Sequence, residues 1–431
     1  MRARDADLAG GGSPLIGYDA GFHVWEGFTE LRMPIVADAP GFKALDLEGG
    51  YRYSSYTSGF NTDTWKIGLS WAPINDVRLR GGYNRAVRTP NVAELYKPVY
   101  VGLDGGGDVC STTTFTAAQC ALTNGGNPLP VYPSIPSPAG QYNGQIGGNT
   151  KLQPEVGKTT NFGIVFTPSF LPGFSATVDY TDIKISNVIT SYGPNLIQAE
   201  CIATGIPYWC QTNPPQGEPG IHRDPGGTLW ASPQGYTIDP LINLAQLENK
   251  SIDVGLAYNT GLGNAGRLRT RLDGSYLDKL ITTPGAGKPF DCAGFFGPEC
   301  SPATPKWRHR FSVDWDTPLT GVSGGATWRY FGESKNELVN PGFPSSYSAA
   351  NIALGRPDPR IPTISYLDLR ASYTWEKYTV RVGCNNVLDK DPPLFDTINS
   401  GGNQAFAESN TFPSMYDTAG RYLYLNVTAD F

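Results

Sequence analysis

The chain has 431 residues, of which 52 are glycine, 36 proline and 23 tyrosine, with 39% hydrophobic and only 17% charged. That length admits two or three ordinary domains or one large β assembly, and sparse charge with many turn formers favours β structure with long loops. A net charge of −6 argues against a basic nucleic-acid surface, and no apolar run reaches the roughly 18 residues of a membrane-spanning helix.

Residues 1–20 carry no strand pattern and no apolar core of a signal peptide, and stay unassigned. This expects either a cytosolic protein or a chain without its natural beginning. From there thirteen segments show strand periodicity: 21–36, 43–56, 64–74, 77–88, 159–168, 174–189, 247–262, 266–282, 308–318, 321–335, 366–376, 378–390 and 421–431. Several alternate cleanly. Val77, Leu79 and Tyr83 oppose Arg78, Arg80 and Asn84. Leu268, Leu272 and Tyr276 oppose Arg269, Arg271 and Asp273. Phe311, Val313 and Trp315 oppose Arg310, Ser312 and Asp314, and Leu367, Leu369 and Tyr373 oppose Asp368 and Arg370. In "FSATVDYTDIKIS" the apolar parity flips between Tyr180 and Ile183, for which a β-bulge is the expected cause.

The connections alternate as well. Links such as "APIN", "DTPLTG" and "WEKY" are short, whereas 89–158, 190–246, 283–307, 336–365 and 391–420 are long. Short turns at one end, long loops at the other, and Trp and Tyr near strand ends describe an antiparallel transmembrane β-barrel. Charge confined to one parity fits a wet lumen, because an Arg or Lys on the lipid face costs roughly 2–4 kcal/mol near the midplane. The alternative is a soluble sandwich with polar-out alternation. An odd count cannot close by antiparallel pairing, so the expectation is a partial barrel.

Six of seven cysteines form close pairs inside long loops: Cys110 with Cys120, Cys201 with Cys210, and Cys292 with Cys300. Disulfides there would each remove roughly 2.5–3 kcal/mol of unfolded-chain entropy and imply an oxidising compartment. Cys384 stands alone and shares parity with Val380 and Val382, so it is expected to face lipid. No zinc spacing, nucleophile elbow or phosphate loop occurs. His23, His222 and His309 lie far apart and read as loop or lumen residues. No metal site and no cofactor is expected.

Several stretches resemble TonB-dependent receptors of the Gram-negative outer membrane. "VWEGFTELRMPIV", "RLRGGYNRAVRTPNVAELYKP", "GNTKLQPEVGKTTNFGIVFTP", "YLDLRASYTWEKYTVRVGCNNVLDKDPP" and "YDTAGRYLYLNVTADF" are similar to that family's strand and loop signatures, in the family's order. The resemblance covers roughly residues 21–431 and implies about the last thirteen of 22 barrel strands, with no counterpart of the plug domain. It implies uptake of a scarce ligand, a ferric siderophore or a glycan-type nutrient, energised by the TonB complex through a plug outside this chain. It implies further that the barrel assembly machinery reads Phe431, and that outer-membrane lipid surrounds the wall. A passive porin-like channel and a secreted β-rich polysaccharide-active enzyme are the alternatives. Ligand contacts are expected from Arg85, Arg88, Tyr96, Tyr142, Tyr208, Trp209, Trp230, Phe295 and Phe296, at the strand–loop boundary and in the loops. The two arginines equally suit ion pairing within the lumen, and each aromatic equally suits packing of the loops.

Overall fold

A computed structural model describes residues 16–285, 288–297, 299–300, 302–343, 360–395 and 411–430. Thirteen strands follow one another in a single antiparallel sheet, each bonded to its neighbours in chain order. They are Val24–Ala39, Phe42–Tyr56, Asn61–Ile74, Val77–Arg88, Glu155–Phe166, Phe174–Thr190, Ile242–Gly261, Arg267–Thr283, Trp307–Asp316, Val322–Phe331, Ile364–Trp375, Tyr378–Asn385 and Tyr422–Ala429. The two-residue strand Phe290–Asp291 adds to the side of Arg267–Thr283. Among the described residues the first and thirteenth strands do not pair with each other, so the sheet is an open wall rather than a closed barrel.

Alternation of side chains gives the wall two faces. One register row joins Leu69, Gly81, Phe162, Tyr180, Ile252, Tyr276 and Trp307 across seven strands. Ile67, Leu69 and Phe162 are each flanked by strands on both sides, yet remain 52, 48 and 55% exposed. A soluble sheet would cover such a face; a wall surrounded by hydrocarbon leaves it bare. The opposite face carries Arg269, Arg271, Asp314 and Asp368, on the parity expected of a lumen. Cys384 stands between Leu369 and Leu423, on the apolar face.

At one end the strands are joined by tight turns. Gly173 and Gly321 hold φ of +85° and +75° there, and a Cβ on either would meet a carbonyl oxygen of the neighbouring hairpin at 2.0 or 2.1 Å. Only glycine tolerates both demands.

The expected bulge between Tyr180 and Ile183 is absent. Phe174–Thr190 pairs with Glu155–Phe166 without a break from Ala176 to Ser186, and the irregularities lie farther on, opposite Asn243–Leu247. The apolar residues change faces because the surroundings change, not because the backbone slips. Beyond Tyr180 the outward positions are Asp182 and Lys184, as they would be where a strand leaves hydrocarbon for water. His309 is a second correction. It points outward between Leu272-paired Phe311 and Trp307, stacked on Tyr330 at 4.8 Å and edge-on to Trp328 at 4.7 Å, neither in a loop nor in the lumen. Strand parity alone decides its side; Trp328 and Tyr330 belong to the next strand, and Trp307, two residues back on its own strand, donates its indole N–H to the imidazole at 2.9 Å.

Candidate functional site: the polar wall and the loop bodies above it

The polar face is held by cross-strand ion pairs. Arg80 makes two bonds to Asp179 at 2.8 and 2.6 Å, Arg269 two to Asp316 at 2.5 and 2.8 Å, and Arg370 reaches Asp314. Cavities of about 600 and 470 Å³ open on this face, one beside Lys66, Arg80 and Asp179, the other beside Arg269, Asp368 and Arg370. Most of these pairs are half solvated, so each contributes little to stability; together they make a wet, charged lining.

The motif residues lock the rim. Arg88 gives two bonds to Glu155 at 2.6 and 2.7 Å and three more to Glu94. Glu94 also closes a capping box with Asn91 on the helix Val92–Tyr96, and its carbonyl accepts from the Asn149 amide at 2.8 Å. The "RTPNVAEL" and "GNTKLQPE" stretches therefore fold onto each other, with Leu95 and Leu152 buried between them. On the far side of the wall Arg329 bridges Asp368 and Asp417, and the Asp368 carboxylate accepts from the Asn386 amide at 2.9 Å. The fully buried Asn386 side chain bonds both ways with the Lys390 backbone and closes the "NNVLDKDPP" turn, and the Asp389 carboxylate accepts from the Arg421 amide at 2.8 Å, tying that turn to "YDTAGR".

Two loop bodies stand above. The first joins residues 89–154 and 191–241 through the sheet Tyr100–Leu103, Asn143–Ile146, Tyr236–Ile238 and Gly220–His222. Helix Pro194–Thr204 packs Ile197 and Cys201 against Ile221 and Leu229. Its centre is an ion pair with no exposure at all: Arg223 donates to both Asp108 oxygens at 2.7 Å, and also to Thr123 and the Gly227 carbonyl. Burial alone would push the Asp108 carboxyl up, but Arg223, Ser134 and the Cys110 amide outweigh it and hold it below the ordinary range. Asp104 lies elsewhere in the same body with one buried oxygen that has no partner. Burial, then the neighbouring Asp239 charge, raises it to about 7.

The second body gathers segments on either side of strands Trp307–Asp316 through Tyr378–Asn385, with the small sheet Phe295–Phe296, Ser334–Asn336 and Arg360–Ile361. Its core is aromatic: Phe296, Tyr366, Phe395, Phe412 and Tyr416. All three loop disulfides are formed, and Cys384 is free.

The nine residues singled out from sequence are scattered. Arg85 sits on the outward parity beside Trp65 and Lys158, paired with Asp63 at 2.9 Å, and so not in the lumen. Arg88 is spent on Glu94 and Glu155. Phe296 is fully buried and Tyr142 is 8% exposed, with its hydroxyl accepting from the Ser137 amide; both are core. Trp230 is half-buried and donates to the Ile135 carbonyl, and half-buried Phe295 packs on Phe343 at 5.0 Å. Tyr96 is half-buried at the end of its helix. Tyr208 and Trp209 do come together, edge-to-face at 5.1 Å, and with Tyr192 they form an aromatic cluster with Tyr208 exposed. Phe431 lies outside the described residues. Sequence reading missed Arg223, Asp108, Asp104 and Tyr192, since partners 115 positions apart leave no spacing signal. No group of three or more His, Cys, Asp or Glu able to hold a metal occurs among the described residues.

The structure is similar to a mutant ferric enterobactin receptor from Pseudomonas aeruginosa in complex with enterobactin, with TM-score 0.58 and 17% identity over 95% of this chain and 46% of that one. It is similar also to the siderophore receptor PirA from Acinetobacter baumannii, with TM-score 0.58 and 14% identity over 100% of this chain and 49% of that one. The chain thus spans about half the length of these receptors. No curated protein sequence matches it. The family model described as TonB dependent receptor-like, beta-barrel matches residues 4–387. With that match over most of its length, the chain belongs to the TonB-dependent receptor β-barrel family, whose members are receptors of the Gram-negative outer membrane rather than enzymes.

Proposed function

We propose that the chain is the later part of the barrel of a receptor that imports a scarce ligand across the outer membrane with energy delivered through TonB. The wall would be completed by further strands to about 22, as in plugged outer-membrane transporters, and the plug would make the contact with TonB. The observation that carries this reading is the combination of a polar, ion-paired wall face with two folded loop bodies above it. A diffusion pore needs an open mouth; these loops are built as small cystine-stapled domains with their own cores. A ferric siderophore is the favoured ligand, because the similar solved structures bear that description; a glycan-type nutrient is the second. Within the loops, Tyr208 and Trp209 offer rings for stacking on an aryl or sugar ligand, with Tyr96, Trp230 and Phe295 less available. Terminal Phe431 would be read by the assembly machinery.

The test is growth of a host lacking its own siderophore receptors and carrying the parent gene. Ferric catecholates and ferric hydroxamates are supplied in turn under iron limitation, and oligosaccharides as sole carbon source in iron-replete medium, each with and without a functional TonB system. One compound should restore growth, and only with TonB. Entry of unrelated small solutes at equal rates irrespective of TonB would establish the porin-like alternative instead.

A further inference from the structure

The two halves of the polar face treat their cations differently. On the first four strands Arg32, Arg52, Lys66, Arg78 and Arg80 each lie within 4.0 Å of a carboxylate. On the later strands Arg308, Arg310 and Arg381 make no hydrogen bond or ion pair among the described residues. All three are exposed and share the inward parity. Register sets Arg308 opposite Ser275, Arg310 opposite Asp273 and Arg381 opposite Ser372.

The carboxylates around them are already taken. Asp273 is held by Arg271 through two bonds at 2.7 and 2.8 Å, Asp314 by Arg370, and Asp368 by Arg329. Arg329 is itself the direct cross-strand partner of Arg310. Like charges placed opposite each other destabilise a sheet, and the chain as a whole is acidic, with net charge −6. The positive excess is therefore local. Asp253 is the one acid nearby without an ion pair among the described residues; it stands beyond Ser275, two strands from Arg308.

Position adds to charge. A cavity of about 440 Å³ on this face is lined by Thr177, Asp253, Ser275, Arg308, Arg310 and Phe331. Arg310 also borders the 470 Å³ cavity beside Arg269 and Arg370, and Arg381 lines that second cavity too. Strand Trp307–Asp316 begins at the loop end of the wall and strand Tyr378–Asn385 at the turn end. Arg308 and Arg310 thus lie beneath the loop bodies, Arg381 lies nearer the turns, and the two cavities meet at Arg310.

We propose that the later half of the polar face is the route of an anionic ligand, entered at Arg308 and Arg310 and continued at Arg381. A guanidinium offers two parallel N–H donors to a carboxylate or phosphate. A succession of them without carboxylates of their own lets an anion pass from one to the next, held firmly enough to enter and loosely enough to leave. The satisfied cations of the first half provide no such vacancies, and an uncharged ligand gains nothing from either half. The inference rests on the receptor reading and narrows its ligand to one with several anionic oxygen groups, either a net-negative ferric chelate or a phosphate ester.

The test uses the parent receptor in neutral detergent, titrated calorimetrically with ferric tricatecholate, ferric dicitrate, inositol hexakisphosphate and a neutral ferric trihydroxamate. At least one anion should bind and the hydroxamate should not; whether a chelate or the phosphate ester binds identifies the source. Arg308→Gln with Arg310→Gln should weaken that anion by about tenfold per arginine. Arg381→Gln should slow TonB-dependent uptake of the same anion, supplied at saturation, by about tenfold. Arg78→Gln, which removes a satisfied cation of the first half, should alter neither. Heat-modifiable gel mobility shows that each variant is a folded barrel. Binding of no anion, equal binding of the hydroxamate, an unaffected double variant, or uptake at the wild-type rate in Arg381→Gln overturns the proposal. Import of a neutral compound that still requires TonB removes the anion route and leaves the receptor reading intact. Import that ignores TonB removes the receptor reading itself.

Discussion

The wall and the loop bodies solve opposite problems. In the wall every residue has two neighbours set by register, one face meets hydrocarbon and the other meets water, so alternate positions suffice to specify it. In the loop bodies no periodicity operates. Each is a small globule with a core of few residues, and below a certain size such cores need staples. The first body uses two disulfides and the Arg223–Asp108 pair; the second uses one disulfide and a concentrated aromatic core. The same kind of arginine–carboxylate pair therefore means different things. Arg271–Asp273 on the wall is at least half solvated, while Arg223–Asp108 is wholly buried.

Breaking the buried pair should produce the largest effect. Asp108→Ala leaves an uncompensated guanidinium in the core and should destabilise the first loop body by about 3–5 kcal/mol. Hydrogen exchange should rise across 100–146 and 191–241 while the strands stay protected; uniform exchange would mean that wall and loops are one cooperative unit. Next, Val254→Arg on the lipid face should cost about 2–4 kcal/mol in folding into bilayers. Arg271→Gln on the polar face should cost less than about 1 kcal/mol. Equal costs, read from denaturant titrations in vesicles, would erase the distinction between the faces. Third, opening any one disulfide should lower the stability of its own body by about 2.5 kcal/mol. Thiol labelling of the unreduced, unfolded chain should find Cys384 alone.

A further effect separates the two bodies by pH. Asp104, raised to about 7, holds its proton in the folded body at pH values where the unfolded chain has lost it. Stability of the first body is then greatest below the ordinary carboxylate range, falls as pH climbs to about 7, and is level above. Asp104→Asn should flatten that slope in exchange rates of the first body. A slope that survives the substitution would assign it to Asp239 or to another group.

All thirteen wall strands were visible in the sequence, because a polarity step between lipid and water writes itself into alternate residues. Two strand-level features depart from expectation. The flip after Tyr180 reflects a change of surroundings, since periodicity gives parity within a strand but not the height at which the surroundings change, whereas His309 shares the parity of Phe311 and Val313 and faces outward with them. The loop contacts were largely illegible. Of the nine candidate ligand residues, Phe296 and Tyr142 became core, Arg88 became part of a rim clamp, and Arg85 turned outward.

Local residue order thus determined the strands, their two faces, the alternation of turn and loop lengths, and the pairing of neighbouring cysteines, since each depends on positions a few residues apart. Tertiary structure alone decided which distant charges meet, from Arg223 with Asp108 in the loop core to Lys158 beside Lys184 on the outer surface. Such partners are chosen by register and packing across the sheet, and no property of either segment by itself records the other.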